Sequence, residues 1–506
     1  MFPPIPKLGD YGISPTRGFL PETLPLTRLP DPYYHKWEAV VANLQALILS
    51  KRLRGVVDRL PVLDTIGLEH DAEWRRAYSL LSFMAHGYIW GGDNPSDRLP
   101  PAIAVPLMKV AEHLEVPPVA TYAALCLWNF KPLFMDEDID NLENLATLNT
   151  FTGSLDESWF YLVSVAMEAR GAPIIPKMLA AIDAARKDDA ATVTDSLMDF
   201  AVGLDDLTRL LMRMHESCDP RMFYHRIRPF LAGSKNMAEA GLPHGVIYED
   251  GSGIDEYRQY SGGSNAQSSL FQLFDIVLGI EHRPTGEKRA RDHGSRGREG
   301  LAPPPKHNFI MDMRRYMPGP HARFLGAVQS VANIRDYVDQ HSDNASLRLA
   351  FDACLVALSD LRDKHIAIVA RYIVVPSREV RARSRSRSPE TTRRQLNLAT
   401  ASRQPQGIAY DARAGATQQE AAKKSLKGTG GTALIAFLRQ TRDETAEAAV
   451  DGVTHRFLSR KAKTEGEGDF FAGKPEGVAG PVEQVQVPGL AGIWTMEDDV
   501  GGICNY

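Results

Sequence analysis

Apolar residues recur at steps of three and four along most of this chain, which is the spacing of one face of a helix. The first such stripe comprises Trp37, Val40, Val41, Leu44 and Ile48. Further stripes run through residues 72–89, 103–114, 119–130, 158–168, 176–185, 194–214 and 266–280. Alternating β-branched runs, which form half-buried strands, are scarce. The pattern therefore predicts an all-α fold.

Four stretches lack this periodicity and divide the chain. Residues 1–30 are rich in proline and are expected to form an extended N-terminal arm. Residues 283–307 and 378–427 are charged, polar and rich in small residues, so each is expected to be a disordered surface loop. Helical spacing ends before the glycine-rich residues 464–506, which are predicted to be an extended C-terminal tail.

The composition narrows the class of protein. Lysine and arginine together number 58 against 63 aspartate and glutamate residues, a formal net charge of -5, so the overall charge does not indicate nucleic-acid binding. No run approaches the ~18 apolar residues of a membrane span, and the N-terminus lacks a signal-peptide pattern. The four cysteines are scattered and form no CxxC pair, which fits a reducing compartment. These features predict a soluble cytoplasmic protein with no nucleic-acid and no membrane partner.

One histidine lies on an apolar helical stripe. A helix is predicted to begin near residues 342–344, which suit helix capping, and to end before Pro376. Leu361, His365 and Val369 follow one another at steps of four on its apolar face. A buried imidazole needs partners, which either a hydrogen-bonded core or a metal can supply. A single histidine is too little for zinc, but one proximal imidazole is enough to hold haem iron.

A turn of small residues precedes another apolar helix. Residues 261–269 contain two glycines followed by Ser264 and Asn265, which bring backbone N–H groups close to whatever lies above them. Ordinary helix capping explains the same residues, and no lysine follows where a phosphate-binding loop requires one. The helix carries Asp275 among apolar residues, where a carboxylate is costly unless it is paired. Arg362 or another buried base is the expected partner.

These segments together resemble the indoleamine 2,3-dioxygenase family. The resemblance covers residues 8–450 outside the two loops. Its closest stretches follow the family's order: Met214-His215-Glu216 leading to Asp219, Pro220 and Phe223, then residues 262–272 (GGSNAQSSLFQ), 311–318 (MDMRRYMP), 361–369 (LRDKHIAIV) and 428–432 (GTGGT). The resemblance implies an all-α fold in which residues 31–150 form a small helical domain and residues 151–463 form a large haem-binding catalytic domain.

The resemblance also implies which residues form the site. His365 is the implied proximal ligand of haem b, with Asp275 and Arg362 supporting the proximal side. The implied distal and cofactor-contacting positions are Tyr122, Phe160, Ser164, Phe223, Arg228, Gly263 and Ser264. Thr429 falls in the implied closing loop.

Elementary chemistry suits these positions. Phe160 and Ser164 lie four residues apart and share one helix face. Phe160 and Phe223 are expected to sandwich an indole ring, and Arg228 is expected to hold a carboxylate in a bidentate contact. The resemblance implies catalytic positions for the hydroxyls of Ser164 and Ser264. Because a hydroxyl is a weak base, Ser164 is expected to act only through hydrogen bonding.

The reaction follows from the same resemblance. It implies a dioxygenase that inserts both atoms of O2 into the indole C2=C3 bond of L-tryptophan and gives N-formylkynurenine, the first step of the kynurenine route toward NAD. The iron would be ferrous when active, so an external electron donor is expected to keep it reduced. A monomer is expected.

Some residues depart from the better-known vertebrate members, and they leave alternatives open. Leu125 replaces a cysteine, Asn265 replaces an alanine and Tyr224 replaces a phenylalanine, while the long loops fit a fungal-type member. The added bulk and polarity keep open a haem protein that binds oxygen but oxidises tryptophan poorly. The related tryptophan dioxygenase type would need a distal histidine, and none stands near Phe160. An RNA-associated protein that uses the Arg-Ser run at residues 381–388 is the third alternative.

Overall fold

Capping side chains mark where the longest helices begin in this computed structural model. Ser154, Asp189 and Asn344 each accept a hydrogen bond from the backbone N–H three residues further on. Because the first N–H groups of a helix have no partner inside it, these side chains fix the start of three long helices. The structure describes residues 3–284, 308–386, 429, 434–450, 454–455, 458, 485–489 and 492–496.

The described residues are mainly helical, which confirms the predicted fold class. The helices are α1 His35–Ala42, α2 Leu44–Leu49, α3 Leu53–Val57, α4 Asp71–Trp90, α5 Pro101–His113, α6 Leu155–Gly171, α7 Ile174–Arg186, α8 Ala190–Met212, α9 Met214–Ser217, α10 Pro220–Met222, α11 Arg228–Leu231, α12 Ser269–Val277, α13 Phe309–Arg314, α14 Gly319–Val331, α15 Ile334–Gln340, α16 Ala345–Val369, α17 Val375–Ser386 and α18 Leu434–Glu447. Wider π-helical turns occupy Ala123–Leu127, Phe223–Ile227 and Ala370–Val374.

Short strands supplement the helices. The strands are β1 Arg98–Leu99, β2 Phe130–Pro132, β3 Leu145–Thr147, β4 Val246–Tyr248, β5 Tyr257–Arg258, β6 Val485–Gly489 and β7 Gly492–Met496. β4 pairs in parallel with β1 and antiparallel with β5, while β2–β3 and β6–β7 are antiparallel pairs.

α16 is the central helix of the core. It packs along α8 and also contacts α18, while α8 in turn packs on α6 and α7. Phe351, Cys354 and Leu358 of α16 are buried. A fully buried apolar side chain of this size contributes roughly 1.5–3 kcal/mol, so this face fixes the position of the helix. His365 lies in the last turns of the same helix.

Residues 1–459 form one unit, and residues 460–506 form a second, which contains the β6–β7 hairpin. A boundary between small and large domains near residue 150 stays a prediction. No helix in the described part of the chain has both the length and the apolar character needed to cross a membrane. Cys126, Cys218 and Cys354 are buried free thiols.

Some predicted boundaries were wrong. Residues 119–130 contain a five-residue π-helical turn followed by the start of β2 rather than a continuous helix. The helix predicted to end before Pro376 continues through a π-helical turn into α17, because proline is tolerated in the first turn of a helix, where its missing N–H is not needed. Helical backbone therefore replaces the first part of the loop predicted at residues 378–427.

Only parts of the segments predicted as loop 283–307 and as tail 464–506 are among the described residues. Residues 283–284 are described, are partly buried and have no regular secondary structure. Within the predicted extended tail, residues 485–489 and 492–496 pair as strands. Residues 285–307, all of 387–428 and the rest of 464–506 lie outside the described residues, as does part of the Arg-Ser run.

Candidate active site

A mainly apolar cavity opens beside the C-terminal half of α16. Its empty volume, including the part open to solvent, is about 1130 Å³. Its lining is mostly hydrophobic and aromatic with a few polar groups, which is the usual character of a small-molecule site. It is lined by Tyr122, Leu125, Cys126, Phe160, Tyr161, Leu211, Met214, Phe223, Arg228, Leu231, Gly263, Ser264, Asn265, Ala266, Phe309, His365, Ile368, Val369, Tyr372, Ile373, Thr429, Leu434, Phe437 and Leu438.

His365 is the single histidine among the described residues that line this cavity. Burial, reinforced by the nearby positive charge of Arg362, lowers the pKa of its imidazole to about 4. The ring is therefore neutral at pH 7, the state in which imidazole binds metals. Within residues 3–284, 308–386 and 434–450 no group forms a hydrogen bond with the ring. A neutral imidazole that faces a large apolar cavity is the arrangement that an axial iron ligand requires.

Two phenylalanines form one wall of the cavity. The ring centroids of Phe160 and Phe223 are 4.7 Å apart at an interplanar angle of 48°. Rings this close leave no space for an indole between them, so the expected sandwich was wrong. The two rings instead offer adjoining faces of a single aromatic surface, against which a flat ring can pack.

Arg228 brings a positive charge into this apolar setting. It follows the π-helical turn Phe223–Ile227 and starts α11, and its guanidinium lies 5.5 Å from the centre of the Tyr224 ring. Burial lowers the pKa of Arg228, because apolar surroundings disfavour the charged form. A guanidinium is the side-chain group best suited to bind a carboxylate in a bidentate contact.

The small-residue turn and the closing residue meet at the cavity. The Thr429 hydroxyl donates a hydrogen bond to the Gly263 carbonyl over 2.8 Å, and the Gly262 N–H donates to the Thr429 carbonyl over 3.2 Å. A Cβ added at Gly263 would lie 2.4 Å from the end of the Leu125 side chain, so glycine lets the turn approach that wall without displacing the leucine. Gln267 fixes the turn by accepting from the Tyr122 N–H and donating to the Gly262 carbonyl.

Three predicted site residues lie behind the cavity surface. Ser164 is buried on α6 and its hydroxyl interacts with Cys126, whose side chain lines the cavity. Asp275 pairs with Arg362, as the sequence predicted, over 2.5 Å between Oδ1 and Nη2. Arg362 precedes His365 by one helical turn, so this ion pair supports the histidine side from behind.

Sequence reasoning missed His282 and Glu444. His282 contacts Asp275 on one side and Glu444 on the other, at 2.8 and 2.7 Å. The sequence feature that could have indicated His282 was the cost of burying the Asp275 carboxylate, which requires basic partners. His282 is the second such partner, in addition to Arg362. Nothing in the spacing could indicate Glu444, because it lies 162 residues further along the chain.

Glu168 is a second buried carboxyl group that the sequence did not reveal. Its Oε1 accepts hydrogen bonds from the hydroxyls of Tyr122 and Ser268, over 3.0 and 2.6 Å. It thereby joins the wall that carries Tyr122 to the cap of α12. Burial raises the pKa of Glu168 to about 7, because the hydrogen bonds offset only part of the desolvation cost.

Glu168→Gln is expected to raise stability at alkaline pH. In the unfolded chain Glu168 titrates near 4.5, whereas in the folded chain it titrates near 7, so the folded state binds more protons between these values and loses stability as the pH rises. The difference corresponds to roughly 3 kcal/mol. Thermal unfolding at pH 5 and pH 8 measures the effect. The melting temperature of the variant, relative to that of the wild type, should be higher at pH 8 than at pH 5. The exposed substitution Glu112→Gln is the control, and an equal offset at both pH values would contradict the assignment.

The departures from the vertebrate pattern cluster at the site. Leu125 and Asn265 both line the cavity, so the expected bulk and polarity are present. Tyr224 stands beside Arg228. All three departures therefore lie at the cavity or beside a residue that lines it.

Together these features define an all-α protein whose apolar cavity offers one neutral imidazole, an aromatic wall and a buried guanidinium. Within the described residues no group of three or more His, Cys, Asp or Glu could hold a bare metal ion. The donor set fits haem, which needs one axial imidazole and an apolar enclosure.

The chain belongs to the indoleamine 2,3-dioxygenase family, whose model matches residues 7–448. It is 44% identical to the indoleamine 2,3-dioxygenase nanC of Aspergillus nanangensis over 87% of this chain and 97% of the relative. It is 42% identical to the indoleamine 2,3-dioxygenase of Saccharomyces cerevisiae over 88% and 94% of the two chains. A 6-hydroxytryptophan 2,3-dioxygenase, fscD of Fusarium equiseti, is 36% identical over 87% and 98%. The recognised family is confirmed, and the chain is a dioxygenase of a haem-dependent family.

Proposed function

We propose that this chain binds haem b through His365 and oxidises L-tryptophan to N-formylkynurenine, inserting both atoms of O2 across the indole C2=C3 bond. The observation that carries the proposal is the meeting of three groups in one cavity: the neutral imidazole of His365, the aromatic wall and the Arg228 guanidinium. An amino acid with an indole side chain offers a matching flat ring and carboxylate.

The residues divide the work between cofactor and substrate. Bound haem supplies the activation of O2, which side chains cannot provide. His365 holds the iron, Arg228 binds the substrate carboxylate, and Phe160 and Phe223 pack against the indole. Thr429 closes over Gly263 and excludes water. No side chain needs to act as acid or base, so the contribution of the protein is orientation, which lowers the barrier by holding the reactants together.

Several further properties belong to the same proposal. The iron is ferrous in the active enzyme, and an external electron donor restores it after oxidation. The protein acts as a cytoplasmic monomer in the first step of the kynurenine route toward NAD. The absence of a second histidine among the described lining residues supports this scheme over one with a distal histidine base.

A ring-hydroxylated tryptophan is the second candidate substrate. Asn265 places a carboxamide at the cavity, where it can bond a hydroxyl group on the indole. The relative named as a 6-hydroxytryptophan 2,3-dioxygenase supports this candidate. Because Asn265 is exposed, water can satisfy its amide when the substrate lacks the hydroxyl, so the preference it gives is expected to be modest.

Turnover with the two substrates tests the proposal. We expect haem-loaded protein, kept reduced, to convert L-tryptophan to N-formylkynurenine with a higher kcat/KM than 6-hydroxytryptophan, and Asn265→Ala to change that ratio. Product formation is to be compared with haem content in the same sample. A preference for the hydroxylated substrate would support the second candidate. Full haem content with no oxidation of either substrate would contradict both.

A further inference from the structure

Four charged side chains form a buried cluster behind His365, here called the rear cluster: Asp275, His282, Arg362 and Glu444. The side chains of His282, Asp275 and Glu444 are only 7%, 8% and 1% exposed. His282 Nε2 lies 2.8 Å from Asp275 Oδ2, and its Nδ1 lies 2.7 Å from Glu444 Oε2. Both ring nitrogens therefore face a carboxylate.

The charge balance of the rear cluster depends on His282. Asp275 and Glu444 carry two negative charges and Arg362 carries one positive charge, while Arg283, which also approaches Glu444, is balanced by Glu447. Neutrality therefore requires an imidazolium. Burial opposes this charge, but the two carboxylates prevail and raise the pKa of His282 to about 9. Against the effect of burial, Arg362 and then His282 lower the pKa of Asp275, and His282 lowers the pKa of Glu444.

The other charged groups near His282 are already paired. Arg283 binds Glu447 at 2.8 Å at the edge of the cluster and also approaches Glu444, at 3.5 Å, while Arg362 donates to Asp275. The His282 carbonyl accepts from the Asn308 amide. No further carboxylate on the described elements contacts the ring, so the state of His282 depends on Asp275 and Glu444, with Arg362 acting against the charge.

The rear cluster fastens α18 to the rest of the core. Glu444 also accepts from the Arg283 N–H and from Gln440, while Arg362 donates to the Thr441 carbonyl and to the Thr445 hydroxyl. The opposite end of α18 lines the cavity with Leu434, Phe437 and Leu438. α18 thus connects the rear of the His365 side to the apolar wall that follows the closing residue Thr429.

We infer that His282 is a positioning residue: as an imidazolium bridging Asp275 and Glu444, it holds α18 in place and thereby keeps the cavity closed around its cofactor. The part that concerns haem rests on the proposed function. The part that concerns α18 is a property of the chain alone.

The inference has a definite pH dependence. The pKa of His282 is near 6.5 in the unfolded chain and about 9 in the folded one. The folded state therefore binds the extra proton between these values, so the stabilisation is complete below pH 6.5 and is lost as the pH rises through 9. Protection of α18 should fall by about tenfold per pH unit in this interval.

Hydrogen exchange of the α18 amides in the haem-free chain tests this, with rates corrected for the intrinsic effect of pH. We expect His282→Gln to show low protection already at pH 7 and little further loss at pH 9. His282→Arg keeps the charge and should retain protection at both pH values. Asp363→Asn removes a different ion pair between α16 and α18, to Arg442, and should keep the wild-type pH dependence.

A second readout extends the test to the cofactor. The rate of haem transfer to apomyoglobin should rise with pH in the wild type and in Asp363→Asn, but not in His282→Arg. Unchanged α18 protection in His282→Gln at pH 7, or a wild-type protein without pH dependence, would overturn the inference. If His282→Gln does not fold, the comparison of wild type with His282→Arg still decides. Because exchange is measured without substrate or haem, a failure of tryptophan oxidation would leave this result intact.

Discussion

His365→Ala is expected to abolish stable haem binding while the chain remains folded. The substitution removes the one imidazole among the described residues that line the cavity, and alanine favours the helix at that position. Loss of a group that only supports a metal ligand costs about 10–100-fold in affinity, so loss of the ligand itself should cost more. Titration with haem, followed by the Soret band, measures the effect.

The control for His365→Ala is the same substitution at a histidine that lies away from the cavity. His341→Ala changes a residue that contacts Asp188 and Tyr337 at the end of α15, and haem affinity should stay at the wild-type value. Added imidazole should restore part of the Soret band of His365→Ala by entering the space left by the side chain. Full-stoichiometry haem binding with an unchanged ferrous spectrum in His365→Ala would exclude His365 as the ligand.

Periodicity predicted the long helices well because their burial pattern is local. The stripe at residues 72–89 corresponds to α4 at Asp71–Trp90, and the stripe at 158–168 lies inside α6. It failed at residues 119–130, where the apolar residues are buried in a π-helical turn and a short strand. Apolar content identifies a buried segment, but a short buried segment does not reveal its conformation.

From the sequence, the site could be predicted only at positions where the type of a single residue indicates its chemical role. His365 and Asp275 stood out because each is a polar group on an apolar face. The contact of Phe160 with Phe223 depends on the crossing of two segments, so the expected sandwich could not be checked before the structure. The His282–Glu444 contact depends on the docking of α18, which spacing along the chain does not encode.

Burial also explains why the residues around His365 can be predicted from the sequence more firmly than the residues proposed to contact the substrate. The rear of His365 is fixed by ion pairs that must balance, and a sequence that buries Asp275 must supply bases for it. The substrate side is shaped by Leu125, Asn265 and the Gly262–Gly263 turn, where many combinations of side chains fill the same space. Family membership therefore predicts the His365 side more firmly than the preferred substrate.

Arg228→Gln is expected to raise the KM for L-tryptophan by about 30-fold or more, with little change in haem content. A buried contact between a guanidinium and a carboxylate is worth about 2–5 kcal/mol when one partner is removed, and 1.4 kcal/mol corresponds to tenfold. Glutamine retains much of the volume but loses the charge, so the aromatic wall should persist. Steady-state kinetics with haem-normalised enzyme measures the effect.

Two comparisons separate charge from packing in the Arg228 experiment. Arg226→Gln makes the same exchange two residues away, in the π-helical turn that precedes Arg228 but outside the cavity lining, and should leave the KM near wild type. Indole derivatives without a carboxylate should bind Arg228→Gln and wild type equally, because the guanidinium has no partner in them. A KM change below about threefold for tryptophan, well under 1.4 kcal/mol, would show that Arg228 does not bind the carboxylate.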